Sequence, residues 1–140
     1  MMTEINPNSH IPSADMTFKT EMSITETVLS GFGELSRDYN PLHTNKEFSV
    51  NKGFSDKVAY GNILSLMISK LVGMDLWSQD VMLVSQTVNY LQPVYVGDTI
   101  LLSASVKYIS ESVNIVELKL SFTNQKGEVC ASGKCSVKVI

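Results

Sequence analysis

Asp38 and His43 lie five residues apart in the run Asp38-Tyr39-Asn40-Pro41-Leu42-His43. Histidine titrates near neutrality, so it can both take and give a proton. A nearby carboxylate stabilises the charged ring or helps to polarise a water shared between the two. Further along, Gly61 opens a strongly apolar segment. At the start of a helix, backbone N–H groups and the positive end of the dipole are free. Glycine lets a ligand oxygen come close to that backbone, and such donors stabilise negative charge on a carbonyl oxygen. Water activation, proton transfer and an oxyanion site suit addition or removal of water beside a carbonyl. They also suit thioester hydrolysis.

Each of these residues has a plainer reading. An Asp before Asn-Pro is a common turn residue. A His just ahead of a helix cap is often only a surface group, and Gly61 can serve a turn alone. Ser65 and Ser69, on the apolar segment, can bond back to helix carbonyls. Residue types and spacing leave both readings open.

The flanking pattern says how such a turn would be held. Residues 16–23 alternate loosely as a first strand. Ser23-x-x-Glu26 reads as a capping box, each side chain satisfying the other's backbone N–H. Ile24, Val28, Phe32 and Leu35 then share one helical face. Gly31 and Gly33 weaken this helix by up to about 1 kcal/mol each relative to Ala, and it is expected to end near Arg37. Pro41 disfavours helical geometry at Asn40, so residues 38–41 form a tight turn. Thr44-x-x-Glu47 is a second capping box, which leaves His43 just outside a short helix that stops at Gly53. Asp38 and His43 are therefore expected at the two edges of one turn, outside regular structure.

From Gly61 to about Val72 the chain reads as a helix closed by Gly73. Ile63, Leu64, Leu66, Met67, Ile68, Leu71 and Val72 cover nearly its whole circumference, and a helix apolar all round is buried. Its one polar line is Asn62, Ser65 and Ser69. Period-two text follows over residues 82–95, 99–108, 113–123 and 128–140. The connections are hairpin-length, which predicts antiparallel neighbours. Pro93 argues for a bulge or an edge. The expected fold class is α+β, an antiparallel sheet wrapped around one buried central helix.

With 140 residues, 44% of them hydrophobic, the chain can bury about two-thirds of its unfolded surface in one domain. Residues 1–15 are expected to be a polar, mobile tail that holds His10, and residues 16–140 the domain. Net charge is −3, with 11 basic and 14 acidic residues and no basic run, so no nucleic-acid partner is expected. The longest apolar stretch is broken by Ser65, Ser69 and Lys70, too short to span a bilayer. No charged-then-apolar leader opens the chain, and a cytoplasmic protein is expected. Cys130 and Cys135 fit no metal or redox motif and read as free thiols on opposite faces of one strand. No metal or cofactor is expected.

The segment Phe32-Gly33-Glu34-Leu35-Ser36-Arg37-Asp38-Tyr39-Asn40-Pro41-Leu42-His43 resembles the hydratase signature of the MaoC-like, (R)-specific enoyl-CoA hydratase family, D-x-N-P-x-H. The resemblance continues through Val58-Ala59-Tyr60-Gly61 and Gln92-Pro93-Val94-Tyr95-Val96-Gly97-Asp98. It implies a hot-dog fold and a homodimer with the substrate tunnel at its interface. It also implies reversible hydration of trans-2-enoyl thioesters to (R)-3-hydroxyacyl thioesters, carried by CoA or acyl-carrier protein. Asp38 and His43 would hold the catalytic water, and the Gly61 N–H would bind the thioester oxygen. Ser69 would support the site and Asn40 would orient the loop. The chain departs from the family at Arg37, usually Gly, at Asn45, commonly Asp, and at Tyr60, usually His. Tyr60 and Arg37 stand beside the site and bear on its substrate. The competing readings are a hot-dog acyl thioesterase and a non-catalytic acyl-thioester binding module. Acyl length would depend on whether the space behind the Asn62/Ser65/Ser69 line is open or filled by Met67, Met74 or Trp77.

Overall fold

A computed structural model describes residues 11–140; His10 lies outside the described residues, while Pro12 is buried. The elements run β1 (Thr17–Ser23), α1 (Glu26–Ser36), α2 (Pro41–Thr44), α3 (Lys46–Asn51), α4 (Ile63–Lys70), β2 (Val81–Tyr90), β3 (Thr99–Ser110), β4 (Ile115–Thr123) and β5 (Val129–Val139). All strand pairs are antiparallel, in the order β1-β3-β4-β5-β2.

The inner sheet face and α4 form one core. Ile63, Leu64, Met67 and Ile68 of α4 meet Ile100, Leu102, Val116, Leu118, Leu120, Phe122, Cys135 and Val137, all buried. Side chains of this size contribute roughly 1.5–3 kcal/mol each when fully buried. The wrapped-helix arrangement is the one expected of a hot-dog fold.

Several local expectations fail for identifiable reasons. The Gly97-Asp98 turn does not make β2 and β3 neighbours. Residues 91–98 instead pair with the segment before α4, through a Val58–Tyr95 bridge and an Ala59 N–H bond to the Val94 carbonyl. The chain thus crosses from the edge strand β2 to β3, next to the opposite edge strand β1, and Pro93 falls outside the strands. The first helix is capped by Thr25, which accepts from the Val28 N–H. Ser23 is unavailable because it is still paired with Thr99.

Of the expected stripe, Ile24 is buried and Val28 and Phe32 pack partly buried against the core, but Leu35 is 89% exposed, and the fully buried residues of α1 are Leu29 and Gly33. On α4, Leu66 is 44% exposed, so the helix is not buried all round. Its axis continues through Gly73 as a widened π-turn, Leu71–Asp75, closed by Lys70 bonds to Asp75 and Thr20. Cys130 and Cys135 are free and both buried. A bulge in β5 opposite Phe122 and Thr123 shifts the alternation between them.

Candidate active site

The turn between α1 and α3 is built mainly from bonds that span two or three residues. Arg37 ends α1 in the left-handed region at φ 62°, its N–H donating to the Gly33 carbonyl. A residue with a Cβ is disfavoured there, which gives a backbone reason for glycine at this position in the resembling family. The Asp38 N–H donates to Ser36 Oγ (3.2 Å), and Asp38 Oδ1 accepts from the Asn40 N–H (3.0 Å). Asn40 Oδ1 accepts from the Leu42 N–H (2.9 Å) and caps α2, with Pro41 in its first turn. Proline suits that place because its missing N–H would have had no helical partner.

His43 therefore lies within α2 rather than outside regular structure. The cap of α3 is Asn45, not Thr44; Asn45 Oδ1 accepts from the Phe48 N–H (3.0 Å). Asn and Asp cap helices about equally well, so this departure from the family leaves the cap unchanged.

The structure brings Asp38 and His43 together. Nε2 of His43 lies 4.0 Å from Oδ2 of Asp38, too far for a direct hydrogen bond and close enough for one water to reach both. His43 Nδ1 is 2.7 Å from the Val58 carbonyl oxygen. A carbonyl only accepts, so Nδ1 carries the hydrogen and the neutral ring presents its lone pair at Nε2, towards Asp38. The imidazole is largely buried and the carboxylate about half exposed, at 14% and 46% side-chain exposure.

Tyr60 joins this turn. Its hydroxyl donates to the Asp38 carbonyl at 2.6 Å, and its ring lies 4.1 Å from the His43 ring and 4.9 Å from that of Phe32. Burial pushes the Tyr60 hydroxyl above its ordinary value, and the charge of Asp38 adds to this. The phenol thus stays protonated as a donor.

Gly61 lies just before α4, whose cap position is Asn62. Among the described residues the Gly61 N–H donates to no carbonyl, while its carbonyl accepts from Leu64. A Cβ here would fall 3.0 Å from the Tyr90 ring, so glycine also serves the packing of Tyr90. Gly61, Tyr60 and Tyr90 line an apolar cavity of about 300 Å³ with Phe54, Leu64 and Pro93. His43 borders a smaller one of about 190 Å³, and Tyr60 lines both.

Ser69 is not brought to the turn. It is exposed on the α4 face that carries Asn62 and Ser65. Ser65 bonds across to Gln86 of β2 at 3.3 Å rather than back to its own helix. Met67 is buried in the core, Trp77 packs on Phe18, and Met74 is 65% exposed. Gly33 and Val58 lie inside the segments that carry the family resemblance but received no role from it, and Tyr90 was not singled out, since each acts through a contact distant in the chain.

The chain matches the family model of the MaoC like domain over residues 8–125. It is 30% identical over 122 residues to a 3-hydroxybutyryl-CoA dehydratase of Methylorubrum extorquens, covering 86% of this chain and 75% of that one. It is 28% identical over 111 residues to an (R)-specific enoyl-CoA hydratase of Aeromonas caviae, covering 79% of this chain and 83% of the relative. A 3-hydroxyacyl-[acyl-carrier-protein] dehydratase of Arabidopsis thaliana is 27% identical over 125 residues, covering 87% and 74%. In structure, the (R)-hydratase of A. caviae superposes with a TM-score of 0.87 at 24% identity, covering 93% of this chain and 98% of that one. The fold is the hot-dog fold. By sequence over most of its length, this chain belongs to the MaoC-like dehydratase family.

Proposed function

We propose that the protein adds water reversibly to trans-2-enoyl thioesters of CoA or acyl-carrier protein, giving (R)-3-hydroxyacyl thioesters. The observation that carries this reading is the Asp38–His43 pair. Two proton-transfer groups face each other at 4.0 Å, with the imidazole lone pair directed into the gap. A water held there gives its oxygen to C3 of the enoyl group and a proton to the pair, and the pair returns a proton to C2. Water is consumed and no net proton is gained or lost. Taking the proton at Nε2 creates an imidazolium beside the Asp38 carboxylate, which stabilises it. The Gly61 N–H, without a backbone partner among the described residues, would bind the thioester oxygen as charge builds on it. The reaction needs no cofactor beyond the thioester substrate.

Two copies of the chain would form the working unit. Among the described residues strand β2 is a sheet edge paired only with β5, and it exposes Met82 and Val84, at 52% and 53%. Unpaired edges and open apolar patches are features that a partner covers. Ser69 and the outer face of α4 would join the site in that dimer. Among the described residues no helix is long and apolar enough to cross a membrane; a cytoplasmic location is part of the proposal.

The test is to incubate the purified protein with crotonyl-CoA, longer enoyl-CoAs and enoyl-carrier-protein thioesters, following loss of enoyl absorbance. A thiol reagent run in parallel reports any released CoA. Hydration without thiol release is expected. Thiol release would mean a thioesterase, and acyl-CoA binding without turnover a binding module.

A further inference from the structure

We propose that Tyr60 is a positioning residue that holds Asp38 and His43 in their working geometry, and that Gly33 lacks a side chain to make room for it. This rests on the hydratase reading above. The short bonds within the turn shape it locally, but they do not set where it sits against the rest of the fold. The far end is tied down by Val58, whose N–H donates to the Leu42 carbonyl (3.0 Å) and whose carbonyl accepts from His43 Nδ1. At the near end, the long-range hydrogen bond to Asp38 among the described residues is the one from the Tyr60 hydroxyl.

Both ties come from one extended segment, itself fixed by the Val58–Tyr95 bridge and the 2.7 Å bond from the Ala59 N–H to the Val94 carbonyl. Tyr60 thus places the acid and the base against the same piece of backbone that leads into Gly61.

Gly33 has the matching shape. A Cβ on it would fall 2.6 Å from the Tyr60 hydroxyl and 3.3 Å from Cζ. Tyr60 is 5% exposed and its ring rests against Phe32 and His43 with its hydroxyl on the Asp38 carbonyl, so a Cβ at Gly33 would push the hydroxyl off that bond. Tyr60 stands where the family usually has His, and an imidazole is too short to fill the hydroxyl's place.

The test compares the wild-type protein with Tyr60→Phe, Gly33→Ala and the double variant, measuring kcat and KM for an enoyl-CoA that the wild type hydrates, with melting curves to confirm folding. Tyr60→Phe is expected to lower kcat about tenfold or more and to leave KM within about twofold, since the loss falls on alignment rather than binding. Gly33→Ala should lower kcat similarly, and adding it to Tyr60→Phe should cost no more than about a further twofold, because the clashing hydroxyl is gone. An unchanged kcat in Tyr60→Phe, or a Gly33→Ala loss equally large with and without the hydroxyl, overturns the proposal. If Tyr60→Phe does not fold, Gly33→Ala alone decides, and an unchanged kcat there overturns it too. A wild-type protein without turnover overturns the hydratase reading itself, a result distinct from an active wild type whose kcat survives Tyr60→Phe.

Discussion

Around Asp38 and His43 the polar groups are partnered within one protomer, whereas along α4 and β2 apolar side chains stand in the open. In the turn, Ser36, Asp38, Asn40 and Asn45 each accept a backbone N–H through the side chain. On the other side Leu66, Met82, Val84 and Met74 are 44%, 52%, 53% and 65% exposed. Leu35 and Leu66 also border an apolar groove with Met22, Val28 and Phe32. The polar network of the turn closes within a single chain, and the apolar face of α4 and β2 does not; in the proposed dimer a second copy would cover it.

The sharpest way to break this comparison is at the pair itself. Asp38→Asn and His43→Ala should each lower the hydration rate at least about a hundredfold, the usual scale for acid–base groups, while leaving the assembly state by sedimentation unchanged. Retained activity in either variant would remove that residue from the chemistry.

The open region should respond in the opposite way. Met82→Glu with Val84→Lys puts two charges into the contact of the proposed dimer; burying them costs several kcal/mol, so that dimer should dissociate and hydration fall at least about tenfold. The turn, probed by the chemical shifts of the Asn40 and Leu42 amides, should stay as it is. A monomer with full activity would show that the site does not need its partner.

A smaller effect is expected at Arg37. Its left-handed conformation carries strain, so Arg37→Gly should raise stability by up to about 1 kcal/mol, read from the urea midpoint. An unchanged or lower midpoint would mean that contacts of the arginine outweigh the backbone term.

The last effect is absent near neutrality, appears only at alkaline pH, and concerns the core beneath both regions. Burial pushes the Cys135 thiol up from 9.0 to about 12, with Glu117 adding to it. The folded state therefore holds the proton more tightly than the unfolded one. Its contribution to stability is fully present below pH 9.0 and is lost as pH rises towards about 12. Cys135→Ala should flatten the decline of melting temperature over that window, and a parallel decline would refute the assignment.

Much of the candidate site could be read from residue types because its bonds are short. The tight turn expected after Arg37 is there, but the short helix that opens at Pro41 with the Leu42 N–H on Asn40 Oδ1 was not expected, although Asn followed by Pro is a cap and first-turn pattern. The capping boxes failed by one or two residues. Several nearby Ser, Thr and Asn side chains compete for each helix start, and the neighbours decide: Ser23 was held in β1, and α2 took Thr44. The period-two text located four strands within a few residues, apart from the Pro93 end of the first. It did not reveal that β2 leaves for the far edge, because a connection of hairpin length can also be a crossing when another segment pairs with it.

The local chemistry of this protein was thus set along the chain: a turn that holds an acid and a base, a helix apolar enough to organise a core, and strands that alternate in and out. The tertiary structure alone decided the strand order, the burial of both cysteines through one bulge, the open face of α4 and the tie from Tyr60 to Asp38 over the bare Gly33. The reason is reach. Caps and turns involve residues two to four apart, whose types can be read together, whereas these contacts join residues tens of positions apart that become neighbours only when the sheet closes around its helix.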